Sequence, residues 1–285
     1  MTPGATRIGP ATFVWGERTY VMGILNVTPD SFSGDGLLTS DDPVAVAVAS
    51  ARRMVAEGAD ILDIGGESTR PGHGAVEVDE EVARVVPVIA AIRTALPGTP
   101  ISIDTTKPAV AEAAIGAGAD LINDVWGVGP DASLARLAAA RGVPLVIMHN
   151  RTEPVYDDLM AEIVADLAVA VERAVGLGVR PSDVIVDPGF GFGKTAEHNL
   201  IVLRDLAHLR HLGHPILLGA SRKSTLGRVL DLPAEDRLEA TIATTAIGIM
   251  GGADLVRVHD VQPNVRAARL TDAVARGTWH PDADS

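Results

Sequence analysis

The sequence predicts an α/β protein: a (β/α)8 TIM barrel in a single domain, residues 1–285, preceded by a short N-terminal β-hairpin. Eight short apolar runs recur at fairly even spacing and close at Asn26, Asp63, Asp104, Asn123, His149, Asp187, Ser221 and His259. Runs that are apolar throughout and alternate with helical stretches are strands buried on both faces, as in a parallel sheet covered by helices. Their polar last residues then share one mouth, where the loops after the strands of a barrel converge. At 285 residues, with no linker and no change of composition, the chain suits one such domain.

Residues 12–20 read as two short strands around a Gly16-Glu17 turn, a hairpin at the bottom of the barrel. The first barrel strand follows at about 20–27. A helix over 43–57 starts after the cap residues Asp41 and Asp42, takes Pro43 in its first turn, and ends before Gly58. The cycle then repeats as strand 61–65 with helix 79–95, strand 101–105 with helix 108–117, and strand 121–125 with helix 131–141. Gly116, Gly118 and Gly142 mark helix ends. Strand 144–149 leads to an amphipathic helix over 156–176, and strand 184–188 to a helix over 196–211. Strand 215–220 precedes helical segments between 224 and 250, strand 255–259 precedes a helix over 263–276, and a polar tail occupies 277–285. Two connections, 28–42 and 66–78, exceed the usual few residues, and both leave strand ends, where long loops order around substrates.

A net charge of −13 argues against nucleic acid, whose phosphates require a basic face. No uncharged apolar run is long enough to span a bilayer, and the first fifteen residues lack the pattern of a secretion signal, so the expected compartment is the cytoplasm. Without cysteine, any metal must take oxygen or imidazole ligands. Only three lysines stand against 21 arginines, and Lys107, Lys194 and Lys223 each follow an apolar strand. A compact ammonium does what a planar guanidinium cannot, which marks these positions; chance survival is the lesser alternative for Lys107 and Lys194, and Lys223 has further support from the motif it sits in.

Side chains alternate along a strand, so Asp104 shares a face with Ser102, Asn123 with Leu121, Asp187 with Ile185, and Arg257 with His259. So many polar groups inside one mouth are costly unless they pair or meet a ligand. Carboxylates accept from ring N–H groups, a carboxamide does both, an ammonium donates and a guanidinium stacks, which suits a flat heterocycle rich in donors and acceptors. The set contains no nucleophile paired with a base. Residues 188–195, rich in glycine and ending in Lys194-Thr195, fail the phosphate-loop pattern because its first glycine falls on Pro188. Their glycines are expected to let backbone approach a ligand, with Phe190 or Phe192 as an apolar wall. His208, His211 and His214 lack an accompanying carboxylate motif and read as a solvated helix face. After the first strand, Asn26, Thr28, Asp30 and Ser31 offer oxygen ligands suited to Mg2+, while an Asx-type turn before Pro29 explains the same residues. In the second loop, Ser68, Thr69 and Arg70 could bind a phosphate or a carboxylate.

Seven segments in order resemble the dihydropteroate synthases: GILNVTPDSF (23–32), GADILDIGGESTRPG (58–72), SIDT (102–105), INDV (122–125), DPGFGFGK (187–194), GASRKS (219–224) and RVHDV (257–261). The resemblance spans about 20–275. It implies a transferase of folate biosynthesis that joins 6-hydroxymethyl-7,8-dihydropterin diphosphate to p-aminobenzoate, releasing pyrophosphate and forming 7,8-dihydropteroate. It further implies that Asp104, Asn123, Asp187, Lys223, Met148 and Phe192 bind the pterin, that Arg257 stacks on the ring, and that Arg257 and His259 hold the diphosphate. Lys223, Arg257 and Asp104 would carry catalysis, and Asn26 would coordinate Mg2+. Thr69, Arg70, Pro71, Phe192 and Ser224 would form the p-aminobenzoate pocket, with Thr69 also near the pterin diphosphate and Thr28, Asp30 and Phe32 in the first loop. A homodimer through outer helices, with residues 241–253 as a candidate face, and sulfonamides as competitors complete the implication. The chain departs from the family at Gly34-Asp35-Gly36, where the acid is moved by one place, so Asp35 receives no role. Two other readings stand beside this one, a non-catalytic pterin-binding paralogue and a pterin-dependent methyltransferase. Asp63, His149, Lys107 and Lys194 receive no role.

Overall fold

The computed structural model describes residues 4–28, 42–67, 76–127, 129 and 131–279. Its centre is a ring of parallel strands: β3 (Tyr20–Asn26), β4 (Ile61–Gly65), β5 (Ile101–Asp104), β6 (Leu121–Asp124), β7 (Leu145–Met148), β8 (Val184–Asp187), β9 (Leu217–Leu218) and β10 (Leu255–Val258). Each from β3 to β8 pairs with the next, and β10 joins β3 to β9. The ring closes where Val186 of β8 bridges Ile216, with the Val186 N–H donating to Pro215 O at 2.9 Å. A TIM barrel follows.

Alternation splits the apolar residues into two cores. Val21, Leu62, Ile103, Ile122, Ile147 and Val186 face the helices, in the larger core. Met22, Ile61, Leu121, Val146, Ile185, Leu217 and Leu255 fill the lower interior of the barrel. That lower layer leaves the opposite end of the same inward faces free for polar side chains.

The hairpin exists but lies earlier than expected. β1 (Ala5–Ile8) pairs antiparallel with β2 (Ala11–Val14), and the chain turns at Gly9, φ +52, rather than at Gly16. A side chain on Gly9 would meet the Asp120 carboxylate at 2.3 Å. Tyr20 was unavailable to the hairpin because it pairs with Leu255 in the barrel. Ile8, Phe13 and Trp15 pack under the inner core, so the hairpin plugs the bottom.

Helices α1 (Pro43–Ala56), α2 (Val78–Ala95), α3 (Pro108–Ala117), α4 (Ser133–Arg141), α5 (Leu159–Gly176), α6 (Ala196–Arg204), α7 (Ser224–Leu230), α8 (Leu238–Met250) and α9 (Val261–Ala275) surround the ring. Caps set several boundaries. The Asp42 carboxylate accepts from Val44 N and Ala45 N, both at 3.0 Å. The Asp158 carboxylate accepts from Ala161 N, which starts α5 three residues later than its pattern suggests. Conversely, α9 begins ahead of Pro263, because a proline in the first turn removes an N–H that has no helical partner. The helix expected over 196–211 is α6 followed by a 3-10 turn over Leu206–Leu212. Strand β9 is cut to two residues because the chain then turns, with Arg222 at φ +55 and the Lys223 N–H donating to Ala220 O. Among the described residues, no helix is long and apolar enough to cross a membrane.

Candidate active site

At the carboxyl ends of the strands the inward face turns polar. Asp63 pairs in register with Ser102, Asp104 with Asn123, and Met148 with Asp187, so neighbouring strands deliver these side chains at successive heights. One pocket collects seven of the residues expected at the site: Asp104, Asn123, Met148, Asp187, Phe192, Lys223 and Arg257. Val125, Phe190 and Gly219 complete its wall.

Arg257 is clasped from two sides. Its Nε donates to Asp63 Oδ2 at 2.5 Å and its Nη2 to Asp104 Oδ2 at 2.6 Å. Burial opposes the guanidinium charge, but the two carboxylates outweigh it and raise the Arg257 pKa. Asp104 is pushed up to about 7 by burial; Arg257 pulls it down and the Asp63 charge adds to the rise. Burial also raises Asp187 to about 6, against a 2.7 Å hydrogen bond from Gly189 N to its Oδ1. Across the pocket, the Lys223 ammonium sits 3.9 Å from the centroid of the Phe192 ring.

The other expected residues that the structure describes stand outside the lining of this pocket. His259 stands at the rim, where Ser221 Oγ lies 3.0 Å from its Nδ1 and accepts its backbone N–H at 3.2 Å. Ser224, exposed, opens α7 next to Lys223. Asn26 ends β3, partly exposed, in register with Gly65, and Thr28 follows it. Asp30, Phe32, Thr69, Arg70 and Pro71 lie outside the described residues, as do Gly34, Asp35 and Gly36.

The glycine-rich segment owes its glycines to close contacts within the protein. Gly189, at φ +70, would place a Cβ 1.8 Å from His149 O, and Gly193, at φ +54, one 2.3 Å from Arg151 O. These two glycines let the chain pass close to the loop after β7, while Gly191, at φ +85, would place a Cβ 3.0 Å from Cδ of Lys223, a residue that lines the pocket. Phe192 does form a wall, and buried Phe190 anchors the loop in the helix-side core.

Two of the three lysines are structural. Lys107 pairs with Glu67 and with Glu81, a carboxylate of α2 that is wholly buried. Lys194 lies 2.9 Å from His149 Nδ1 and donates to Phe192 O at 3.1 Å. Burial lowers the Lys194 pKa to about 7 and the His149 pKa to about 4. His208 and His211 are exposed. Sequence reasoning missed Ser221, which steadies His259, and Asp63, which grips Arg257. For Asp63 the signal was its parity: two residues after inward-facing Ile61, it must face inward too.

The model of the family described as pterin binding enzyme matches residues 22–259. The dihydropteroate synthase of Clostridium beijerinckii is 52% identical over 271 residues, covering 95% of this chain and 99% of its own. The solved dihydropteroate synthase of Clostridium difficile, in the presence of pteroic acid, superimposes with a TM-score of 0.88 at 50% identity, covering 93% of this chain and 99% of that one. That of Xanthomonas albilineans, in complex with 7,8-dihydropteroate, gives a TM-score of 0.85 at 40% identity, covering 95% and 98%. The chain belongs to the pterin-binding enzymes and, within them, to the dihydropteroate synthases, which are transferases.

Proposed function

We propose that this chain joins 6-hydroxymethyl-7,8-dihydropterin diphosphate to p-aminobenzoate, yielding 7,8-dihydropteroate and pyrophosphate. One observation carries the reading: two buried carboxylates, a carboxamide, an ammonium and a guanidinium meet in a pocket walled by Met148, Phe190 and Phe192. Asp104 and Asp187 accept from the ring N–H and amino groups, Asn123 presents a carboxamide, and Lys223 donates to a ring acceptor. Arg257 covers the ring and, with His259, faces the diphosphate at the rim.

The reaction breaks the bond from the exocyclic methylene carbon to a diphosphate oxygen and forms a bond from that carbon to the aryl nitrogen, which then loses a proton. Ring electrons stabilise the methylene cation, so the protein's task is to orient the ring, hold the departing anion and admit the amine. No protein nucleophile is required. The Arg257 guanidinium and the His259 imidazole, as cation and hydrogen-bonding group, stabilise the leaving charge. A sulfonamide, itself an aryl amine, competes for the amine's place.

Mg2+ suits the donor set, since Asn26 offers a neutral oxygen at the mouth and Mg2+ is commonly completed by water and phosphate oxygens. When bound it neutralises charge on the departing diphosphate.

The same reading includes a homodimer. Ile247 and Met250 of α8 and Leu270 and Val274 of α9 are 48%, 61%, 71% and 72% exposed, on two helices packed against each other. Large apolar side chains left exposed on two adjacent helices suit a second copy.

Incubating the protein with the pterin diphosphate, p-aminobenzoate and Mg2+ tests the activity, with dihydropteroate as the expected product. Tight pterin binding without product would establish a non-catalytic paralogue instead. Titrating pyrophosphate with and without Mg2+ tests the metal: binding tightens with Mg2+, and uncoupled binding would favour the methyltransferase.

A further inference from the structure

We infer that Asp63 is a positioning residue for the pterin subsite, acting from beneath the pocket through Arg257 and Asn123; the inference rests on the function proposed above. Its carboxylate is wholly buried and does not line the pocket. Through one oxygen it accepts from Arg257 Nε at 2.5 Å and from Asn123 Nδ2 at 3.3 Å. Both donors face the pocket. A carboxylate can only accept, so it fixes which end of the Asn123 amide points down and leaves the amide oxygen for other partners. It likewise sets the plane of the Arg257 guanidinium, since a donor on Nε and another on Nη2, the latter to Asp104, define the fork.

The contrast with other buried acids separates this role from scaffolding. Asp120 accepts from Ile101 N and from Arg93, and Asp272 from Thr19 N, Thr19 Oγ1 and Arg276. Those carboxylates hold backbone to backbone. Among the described residues, Asp63 accepts from no backbone N–H, its second oxygen, Oδ1, has no hydrogen-bond partner, and neither has Ser102 Oγ, its register neighbour. Placing an unshared carboxylate oxygen in the barrel interior is costly, and the groups served in return are two that face the pocket.

Steady-state kinetics of Asp63→Ala and Asp63→Asn, with each substrate varied, test the inference. Asparagine can keep an oxygen facing Arg257 and Asn123 and is the conservative rescue. The expected result is a tenfold or greater rise in KM for the pterin diphosphate in the alanine variant, a rise of no more than about threefold in the asparagine variant, and an unchanged KM for p-aminobenzoate in both. Should the alanine variant fail to fold, the asparagine variant supplies a second readout. The charges around Asp104 are Arg257, Asp63, Lys223 and Glu81; neutralising Asp63 removes one that raises it, so the acid limb of pterin binding moves to lower pH. A normal KM for the pterin diphosphate in folded Asp63→Ala, a parallel rise for both substrates, or an unmoved acid limb in Asp63→Asn would overturn the role. Parent protein that forms no dihydropteroate refutes the proposed function, whereas active parent protein with indifferent variants refutes only the part given to Asp63.

Discussion

The Lys223 ammonium lies 3.9 Å from the centroid of the Phe192 ring, joining the turn after β9 to the glycine-rich loop after β8. Neither loop sets the pocket alone. The ring face attracts the cation by about 1 kcal/mol in such a partly desolvated setting. Phe192→Leu is therefore expected to weaken turnover roughly fivefold, while Lys223→Ala abolishes it without unfolding the barrel, measured by dihydropteroate formation alongside circular dichroism. Near-normal turnover by folded Lys223→Ala would remove the site assignment.

The raised acids make pterin binding depend on pH. Asp104 near 7 and Asp187 near 6 must be carboxylates to accept from the ring, so affinity is expected to fall as pH drops from 8 to 5.5. Stability of the ligand-free protein runs the other way. The native state holds these protons more tightly than the unfolded chain, so from the ordinary carboxylate range near 4 up to the native values, rising pH costs stability. Asp104→Asn is accordingly expected to lose activity while showing a smaller fall in thermal midpoint between pH 5.5 and pH 8. A steeper fall would contradict the burial argument.

Gly189→Ala tests the close pass between loops. At φ +70 and with a Cβ 1.8 Å from His149 O, the residue must move backbone against backbone, at a cost of about 3 kcal/mol. A lowered urea midpoint is expected. Gly98→Ala, where nothing lies within 4 Å, serves as the control.

The proposed homodimer gives a separate test, on the outer helices of the barrel. Leu270→Glu, on the exposed face of α9, is expected to shift the mass seen by light scattering from two chains to one, with the fold retained. A parent protein that is already monomeric refutes the homodimer.

Much of the site was legible before folding because strand parity is a local property. Once Leu121, Ile185 and Leu255 belong to the inner core, Asn123, Asp187 and Arg257 must share its axis. The hairpin was misplaced for a nonlocal reason: Tyr20 reads as the end of a second hairpin strand until Leu255, more than two hundred residues later, claims it. The glycines of residues 189–193 carried a local signal for unusual backbone, but what Gly189 and Gly193 avoid is a carbonyl of another loop, and what Gly191 avoids is the Lys223 side chain.

By itself the sequence determined the eight strand-helix units, the shared mouth and the chemical inventory aimed into it, because periodicity and composition are written residue by residue. Only the tertiary structure decided which of those groups touch. Asp63 and Arg257, 194 positions apart, become partners when the ring of strands closes, and three equally scarce lysines separate into Lys223 in the pocket and Lys107 and Lys194 in its supports. Such pairings depend on distances across the barrel, which no local pattern encodes.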